Sequence, residues 1–226
     1  MTVSHRFVVV AALFVTCLIT ANIIIVKQIN ICGLVLPAAI IIFPLNYIIG
    51  DVLTEVYGYQ QARRVIWLGF LCNLIAVVAI WGGKILPPAP VFEAQSAYER
   101  ILGSTPRYLL ASFVAYLVAE FANSFVLAKM KIKTRGRWLW TRTIGSTLVA
   151  QGIDTSIVLP IAFWGVLPLP ALGTMILGHW LVKTAYEAVA TPLTYGVVGY
   201  LKRKEGIDVY DRGTDFNPFR VNSVEG

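Results

Sequence analysis

Charged residues are scarce in this chain. Only 14% of its 226 residues are Asp, Glu, Lys or Arg, against 57% hydrophobic. A soluble domain carries about a quarter of its residues charged, so the scarcity excludes an ordinary water-facing fold. Cysteine is nearly missing as well. Cys17, Cys32 and Cys72 show no CxxC spacing, and Cys17 and Cys72 sit inside apolar runs, so neither a disulfide framework nor a metal site follows. His5 and His179 are too few and too far apart for a His-rich metal centre. There is no H-E-x-x-H, no GxSxG and no glycine-rich phosphate loop. An enzyme reading therefore lacks support, no cofactor is expected, and the chain alone cannot hydrolyse ATP. Asp51 follows Ile49-Gly50 and Asp154 follows Gly152-Ile153, so the Gly-x-Gly-Asp setting of intramembrane aspartyl proteases is missing too. No internal repeat or low-complexity segment is found.

What the chain has is long apolar runs and a mean hydropathy of +0.71. Runs able to cross about 30 Å of hydrocarbon argue for an all-α polytopic membrane protein. Six spanning segments are expected, at residues 7–26, 38–59, 65–86, 106–128, 141–166 and 171–201, followed by a polar, soluble tail at 202–226. The first run is longer than the roughly 7 to 15 residues of a signal-peptide core and no small-x-small cleavage site follows, so it is read as a retained helix. Residues 27–37, around Asn30 and Gly33, suit a short hairpin, and Pro44 suggests a kink in the second segment. The Pro-rich connection at 87–105 has room for a surface helix.

The net charge of +7 does not point to nucleic acid, because membrane proteins collect Lys and Arg in their cytoplasmic loops during insertion. With six spans, 14 of the 19 basic residues fall on one face, and the positive-inside rule puts both termini in the cytoplasm. Arg63, Arg64 and the basic turn at 129–137 are read as setting orientation and touching anionic headgroups. The lipid bilayer is thus the expected partner. A homodimer through small residues near Gly165 and along the sixth segment is a further expectation.

The acidic residues behave differently. Five of the 12, Asp51, Glu55, Glu120, Asp154 and Glu187, lie within or at the inner ends of spanning segments. A carboxylate near the middle of a span costs about 2.5 to 3.5 kcal/mol on insertion scales, so it normally faces a protein interior or a ligand. Glu120 with Asn123, and Gln151 with Asp154, are spaced i, i+3, so each pair shares a helix face. Asp51 with Glu55 and Lys183 with Glu187 are spaced i, i+4, with His179 and Tyr186 on the same polar stripe, and Asn46 precedes Asp51. Lys183 could pair with Glu187, and Arg142 with Asp51 or Glu55, yet carboxylates still outnumber basic groups. The excess, with Tyr47, Tyr116, Phe121, Trp164 and Tyr186 nearby, suits a flat heteroaromatic ligand carrying several N–H donors, as on a guanine-like Watson–Crick edge.

Specific motifs carry a resemblance. Asp51-Val-Leu-Thr-Glu55-Val-Tyr-Gly58-Tyr with Ala62-Arg63-Arg64, Glu120-Phe-Ala-Asn123-Ser-Phe leading to Lys129-Met-Lys131, and Thr141-Arg142-Thr-Ile-Gly145-Ser146-Thr with Gln151-Gly-Ile-Asp154-Thr155 resemble the queuosine precursor transporter family, also called the vitamin uptake transporter family. Lys183-Thr-Ala-Tyr186-Glu187, Thr191-Pro192-Leu-Thr-Tyr195 and Asp208-Val-Tyr-Asp211 extend the likeness over nearly the whole chain. The resemblance implies a bacterial cytoplasmic-membrane importer of 7-cyano-7-deazaguanine and 7-aminomethyl-7-deazaguanine. It also implies similarity to the membrane substrate-binding subunits of energy-coupling-factor vitamin transporters. On that resemblance Glu120 or Asp154 accepts from N1–H and the 2-amino group, and Asn123 or Gln151 meets the 6-oxo group. Glu187 or Asp51 takes the remaining N–H or an aminomethyl ammonium. Alternatives left open are a substrate-binding subunit that needs partner chains and a transporter of another flat base or vitamin.

Overall fold

The computed structural model describes residues 4–31, 34–103, 106–163, 165 and 168–220, so Cys32, Gly33 and Trp164 lie outside the described residues. The order of elements is α1 (His5–Ile24), β1 (Gln28–Ile31), β2 (Leu34–Pro37), a 3-10 turn (Ala38–Ile41), α2 (Phe43–Tyr57), α3 (Tyr59–Ile85), α4 (Gln95–Leu102), α5 (Pro106–Lys133), α6 (Leu139–Phe163) and α7 (Leu169–Glu205). The strands form one antiparallel hairpin with Ile31 opposite Leu34.

Local chemistry accounts for several boundaries. Ser4 caps α1 by accepting from the Phe7 N–H at 3.1 Å. Pro44 stands in the first turn of α2, where its missing N–H has no intrahelical partner to lose. Gly58 ends α2 and begins α3 at φ +82°, a left-handed conformation that costs glycine least. One residue therefore makes the whole turn, and Arg63 and Arg64 belong to α3 instead of the connection expected between the second and third segments.

Four helices of the described residues, at His5–Ile24, Tyr59–Ile85, Leu109–Lys133 and Leu139–Ile161, are long and apolar enough to cross a membrane. The 15 residues of α2 fall short of that length, and the 37 of α7 carry Lys183, Glu187 and a basic end. The distribution of polarity is inverted relative to a water-soluble protein. Leu71, Ile75 and Val78 of α3, Leu110, Val114 and Val118 of α5, and Leu181, Val189 and Leu193 of α7 are exposed, Val189 to 81%. Asp51, Glu55, Asn123, Arg142, Gln151 and Glu187 are buried. Apolar outside and polar inside is the arrangement a hydrocarbon solvent selects.

Short α2 is the centre, packed against α1, α3, α5 and α7, while α5 and α6 form the most extensively packed pair. Phe14, Val52, Val56 and Ile66 fill the seam between α1, α2 and α3. Thr54 of α2 donates to Ser124 of α5 at 3.0 Å, one of the small polar links on which helix association in lipid relies.

Candidate functional site

Two polar assemblies lie along α2, one turn apart. The first gathers Asp51 of α2, Asn123 of α5, Gln151 of α6 and Glu187 of α7, all buried. Asn123 Nδ2 donates to Asp51 Oδ1 at 2.9 Å. Tyr47 is hydrogen-bonded to Gln151 and lies within electrostatic reach of Asp154, Glu120 and Glu187. Asp51 likewise faces Glu187 and Glu120. The Glu120 carboxylate rests beside Gly50, with Oε2 3.6 Å from where a side chain there would begin. Lys183 reaches across from α7 to Asp154 of α6 at 2.7 Å, the two side chains 20% and 22% exposed. Its partner is thus Asp154, not the Glu187 one turn further along its own helix.

The acceptors are conspicuous for what they do not bond. Among the described residues, Asp51 Oδ2, Asn123 Oδ1, Gln151 Oε1, both carboxylate oxygens of Glu187, and Asn46 Oδ1 on the preceding turn of α2 are buried with no hydrogen-bond partner. Buried polar atoms are nearly always paired, and one left bare costs about 1 to 3 kcal/mol. Five side chains on four helices thus carry buried oxygens that could still accept N–H or O–H groups. Of the residues expected at the site from sequence, Asp51, Glu120, Asn123, Gln151, Asp154, Lys183 and Glu187 come together, and Asn46 is buried earlier on α2. Tyr186 does not join them. It is 41% exposed on the outer face of α7, because the polar stripe of that helix is wider than the cluster it serves.

The second assembly closes the basic end of the bundle around Glu55. Arg142 grips that carboxylate with two hydrogen bonds, Nη2 to Oε1 at 2.8 Å and Nε to Oε2 at 3.2 Å. Lys202 reaches the same Oε1 at 2.7 Å, and Lys131 lies 3.6 Å from it. Lys131 and Lys202 also hold Asp208 at 2.6 and 2.8 Å. Burial pushes the Asp208 carboxyl up, but these two ammonium groups outweigh it and hold the carboxyl below the usual carboxylate range.

Asp208 begins a tail that folds back over the helix ends. Asp211 accepts from the Tyr59 N–H through both oxygens, at 3.1 and 3.0 Å, and so caps α3 from more than 150 residues away in sequence. Burial raises the Asp211 carboxyl above its ordinary value in spite of that bond. Arg63 is buried and donates to the Asp215 and Asn217 carbonyls at 3.1 and 2.7 Å, and Trp67 donates to the Pro218 carbonyl at 2.8 Å. Phe216 packs on Tyr59 and under Lys129. The described part of the tail is therefore docked, and Arg63 and Lys131 serve it from inside the protein, not at a headgroup surface. Sequence reading missed these roles because their partners are backbone carbonyls of a polar segment with no periodicity. The Asp208-Val-Tyr-Asp211 motif was the one signal.

Known proteins similar to this chain place it in a family. The family described as "Putative vitamin uptake transporter" matches residues 37–197, which takes in α2 through most of α7. A Bacillus subtilis (strain 168) protein named "Probable queuosine precursor transporter" is 31% identical over 178 residues, 78% of each chain. No solved structure matches. Polytopic apolar helices around a buried polar cluster, with the family match over most of the length, make this a multi-pass membrane transporter and not an enzyme: the chain belongs to the vitamin uptake transporter family.

Proposed function

We propose that this protein imports 7-deazaguanine precursors of queuosine across the bacterial cytoplasmic membrane, binding the base among Asp51, Glu120, Asn123, Gln151, Asp154 and Glu187. The observation that carries the reading is the set of partnerless buried acceptors on α2, α5, α6 and α7. A guanine-type edge offers N1–H and a 2-amino group side by side, which two oxygens of one carboxylate accept together, and the pyrrole-type N–H supplies a further donor. The name of the Bacillus subtilis relative supports the same class of solute. In this reading Glu120 or Asp154 takes the Watson–Crick edge, and a side-chain N–H of Asn123 or Gln151 donates to the 6-oxo group while the bare amide oxygens stay open to ligand N–H groups. Glu187 or Asp51 takes the remaining N–H or an aminomethyl ammonium, and Lys183 holds Asp154 in place until the ligand arrives.

Six crossings, by α1, α2 with its 3-10 turn, α3, α5, α6 and α7, bring the basic ends of Arg6, Arg63, Lys131, Arg142 and Lys202 to the cytoplasmic side with both termini. Likeness to the substrate-binding membrane subunits of energy-coupling-factor transporters belongs to the same proposal. So does a homodimer along α7, where Gly173, Gly178 and Gly196 have open space in place of a side chain. Alternating access then means opening the tail-covered end in turn with the opposite end. Pro160 in α6 and Pro192 in α7, which leave the carbonyls of Ser156 and Ala188 without their helical donors, are the natural bending points.

The test is rescue of queuosine in transfer RNA in bacterial cells that can neither make nor import the precursors, fed each deazaguanine at low concentration. The wild-type chain restores the modification, and Glu120→Gln at equal membrane level lowers precursor uptake about tenfold or more. Absence of rescue by an inserted wild-type chain would refute the substrate assignment.

A further inference from the structure

At the end opposite the tail, a cavity lies between α1, α3 and α5 and is bordered by Ile101 and Leu102 of α4. α4 is tied there by Tyr98, which donates to the Ile80 carbonyl at 3.1 Å. The wall is not wholly apolar. Asn22 of α1 donates to Asn73 of α3 at 3.1 Å, Ser112 of α5 faces the same space, and Lys84 stands at the rim.

One helical turn further in, on each of the three helices, the polar wall gives way to a tight layer. Leu18 lies four residues before Asn22, Gly69 four before Asn73, and Tyr116 four after Ser112, a spacing of about 6 Å along each axis. The layer closes on Gly69. A Cβ at that position would sit 2.7 Å from Tyr116 Oη, 3.2 Å from Leu18 and 3.3 Å from Phe14, so glycine is the residue this packing demands. Tyr116 is held by donating to the Ile66 carbonyl at 3.2 Å. Phe14 also touches the far side, since its ring and Glu120 Oε2 both lie 3.6 Å from the Gly50 position. The layer is therefore about one turn thick, with the cavity on one side and the central acceptor cluster on the other.

The cavity measures about 50 Å³, room for a few water molecules, so the geometry points to an entry vestibule on the solute's route that widens to admit it, not to a preformed second binding site. It is a vestibule walled by Asn22, Asn73 and Ser112, separated from the central site by a gate of Phe14, Leu18 and Tyr116 that shuts over Gly69. This inference rests on the proposed import function for the identity of the solute, a flat base with both donors and acceptors, and on the geometry alone for the route. An amide pair offers that base one donor and one acceptor, while the ammonium of Lys84 favours an uncharged ring over a cationic one. The solute enters as the vestibule widens and passes inward when Tyr116 releases the Ile66 carbonyl and swings from Gly69.

The test uses the full chain in intact cells, with Cys17, Cys32 and Cys72 replaced by serine and Ala76→Cys introduced on the vestibule wall. A membrane-impermeant maleimide added outside is expected to label this cysteine, and the bulky adduct to lower uptake of 7-cyano-7-deazaguanine at least about tenfold. Adding Gly69→Ala is expected to leave labelling intact while slowing uptake, because its methyl displaces the Tyr116 hydroxyl; intact labelling shows that this variant is folded. No labelling from outside, or unchanged uptake after complete labelling, would overturn the vestibule. Labelling needs no substrate, so it decides the route even if the wild-type chain imports neither deazaguanine, a result that would sink the function reading alone.

Discussion

Glu55 is 0% exposed and meets three cationic side chains, so its worth depends on none of them being removed singly. Deleting one partner of a buried ion pair strands the other and costs about 3 to 5 kcal/mol. Glu55→Gln and Arg142→Met should each lower the thermal unfolding midpoint of the detergent-purified protein. Arg142→Lys should recover little of that loss, since an ammonium cannot reproduce the two-pronged grip. An Arg142→Met midpoint equal to wild type would show that the network carries no stability. The pairing of Arg142 with Asp51 or Glu55 was legible in sequence, because both acids share one helix face and Arg142 stands at the matching depth. The choice of Glu55 was not, since it depends on Lys131 and Lys202 arriving at the same carboxylate. The partnership of Lys183 was open for a similar reason: i, i+4 spacing allows Glu187, but Asp154 on the facing helix presents its carboxylate to the ammonium at 2.7 Å.

At the scale of elements, the long apolar helices were legible because hydrocarbon thickness dictates their length and composition. The boundary between α2 and α3 was harder. A helix start normally shows a Ser, Thr, Asp or Asn at its cap, and α3 has Gly58 there with the capping carboxylate supplied by Asp211. Gly58→Ala adds left-handed strain of about 1 to 2 kcal/mol, and its methyl would sit 2.6 Å from a Val209 methyl. The expected outcome is a tail released from the bundle, seen as faster proteolysis within residues 206–220; unchanged protection would contradict the tight fit. Pro192→Ala should give α7 back a hydrogen bond and straighten it. Uptake should then fall while equilibrium binding of the deazaguanine stays within about threefold, because the substitution touches the hinge and not the acceptors. Loss of binding in step with uptake would argue that Pro192 shapes the site itself.

For the whole molecule, the tail converts a set of helix ends into a closed surface. Truncation after Gly206 would remove the carbonyls that satisfy Arg63, the cap on α3 and the Asp208 carboxylate shared by Lys131 and Lys202. The truncated chain should show lower thermal stability and a newly reactive basic end in hydrogen exchange. Equal protection of the α3 start with and without the tail would refute its docking role. A polar segment that docks through main-chain carbonyls leaves no hydrophobic pattern, which is why it reads as a soluble extension in sequence. The central cluster was visible there for the opposite reason: carboxylates and amides inside apolar runs are costly, and their i, i+3 spacing shows which face they share.

If acceptors short of donors hold a guanine-like base, calorimetric titration of the purified wild-type protein with 7-cyano-7-deazaguanine will show it, with Glu187→Gln titrated in parallel and 7-deazaadenine, whose edge reverses the donor and acceptor pattern, as competitor. The expected outcome is saturable one-site binding, weakening by about ten- to a hundredfold in the variant, and no displacement by the adenine-type edge. Binding that survives Glu187→Gln unchanged, or that 7-deazaadenine displaces as readily as the ligand itself, would contradict it.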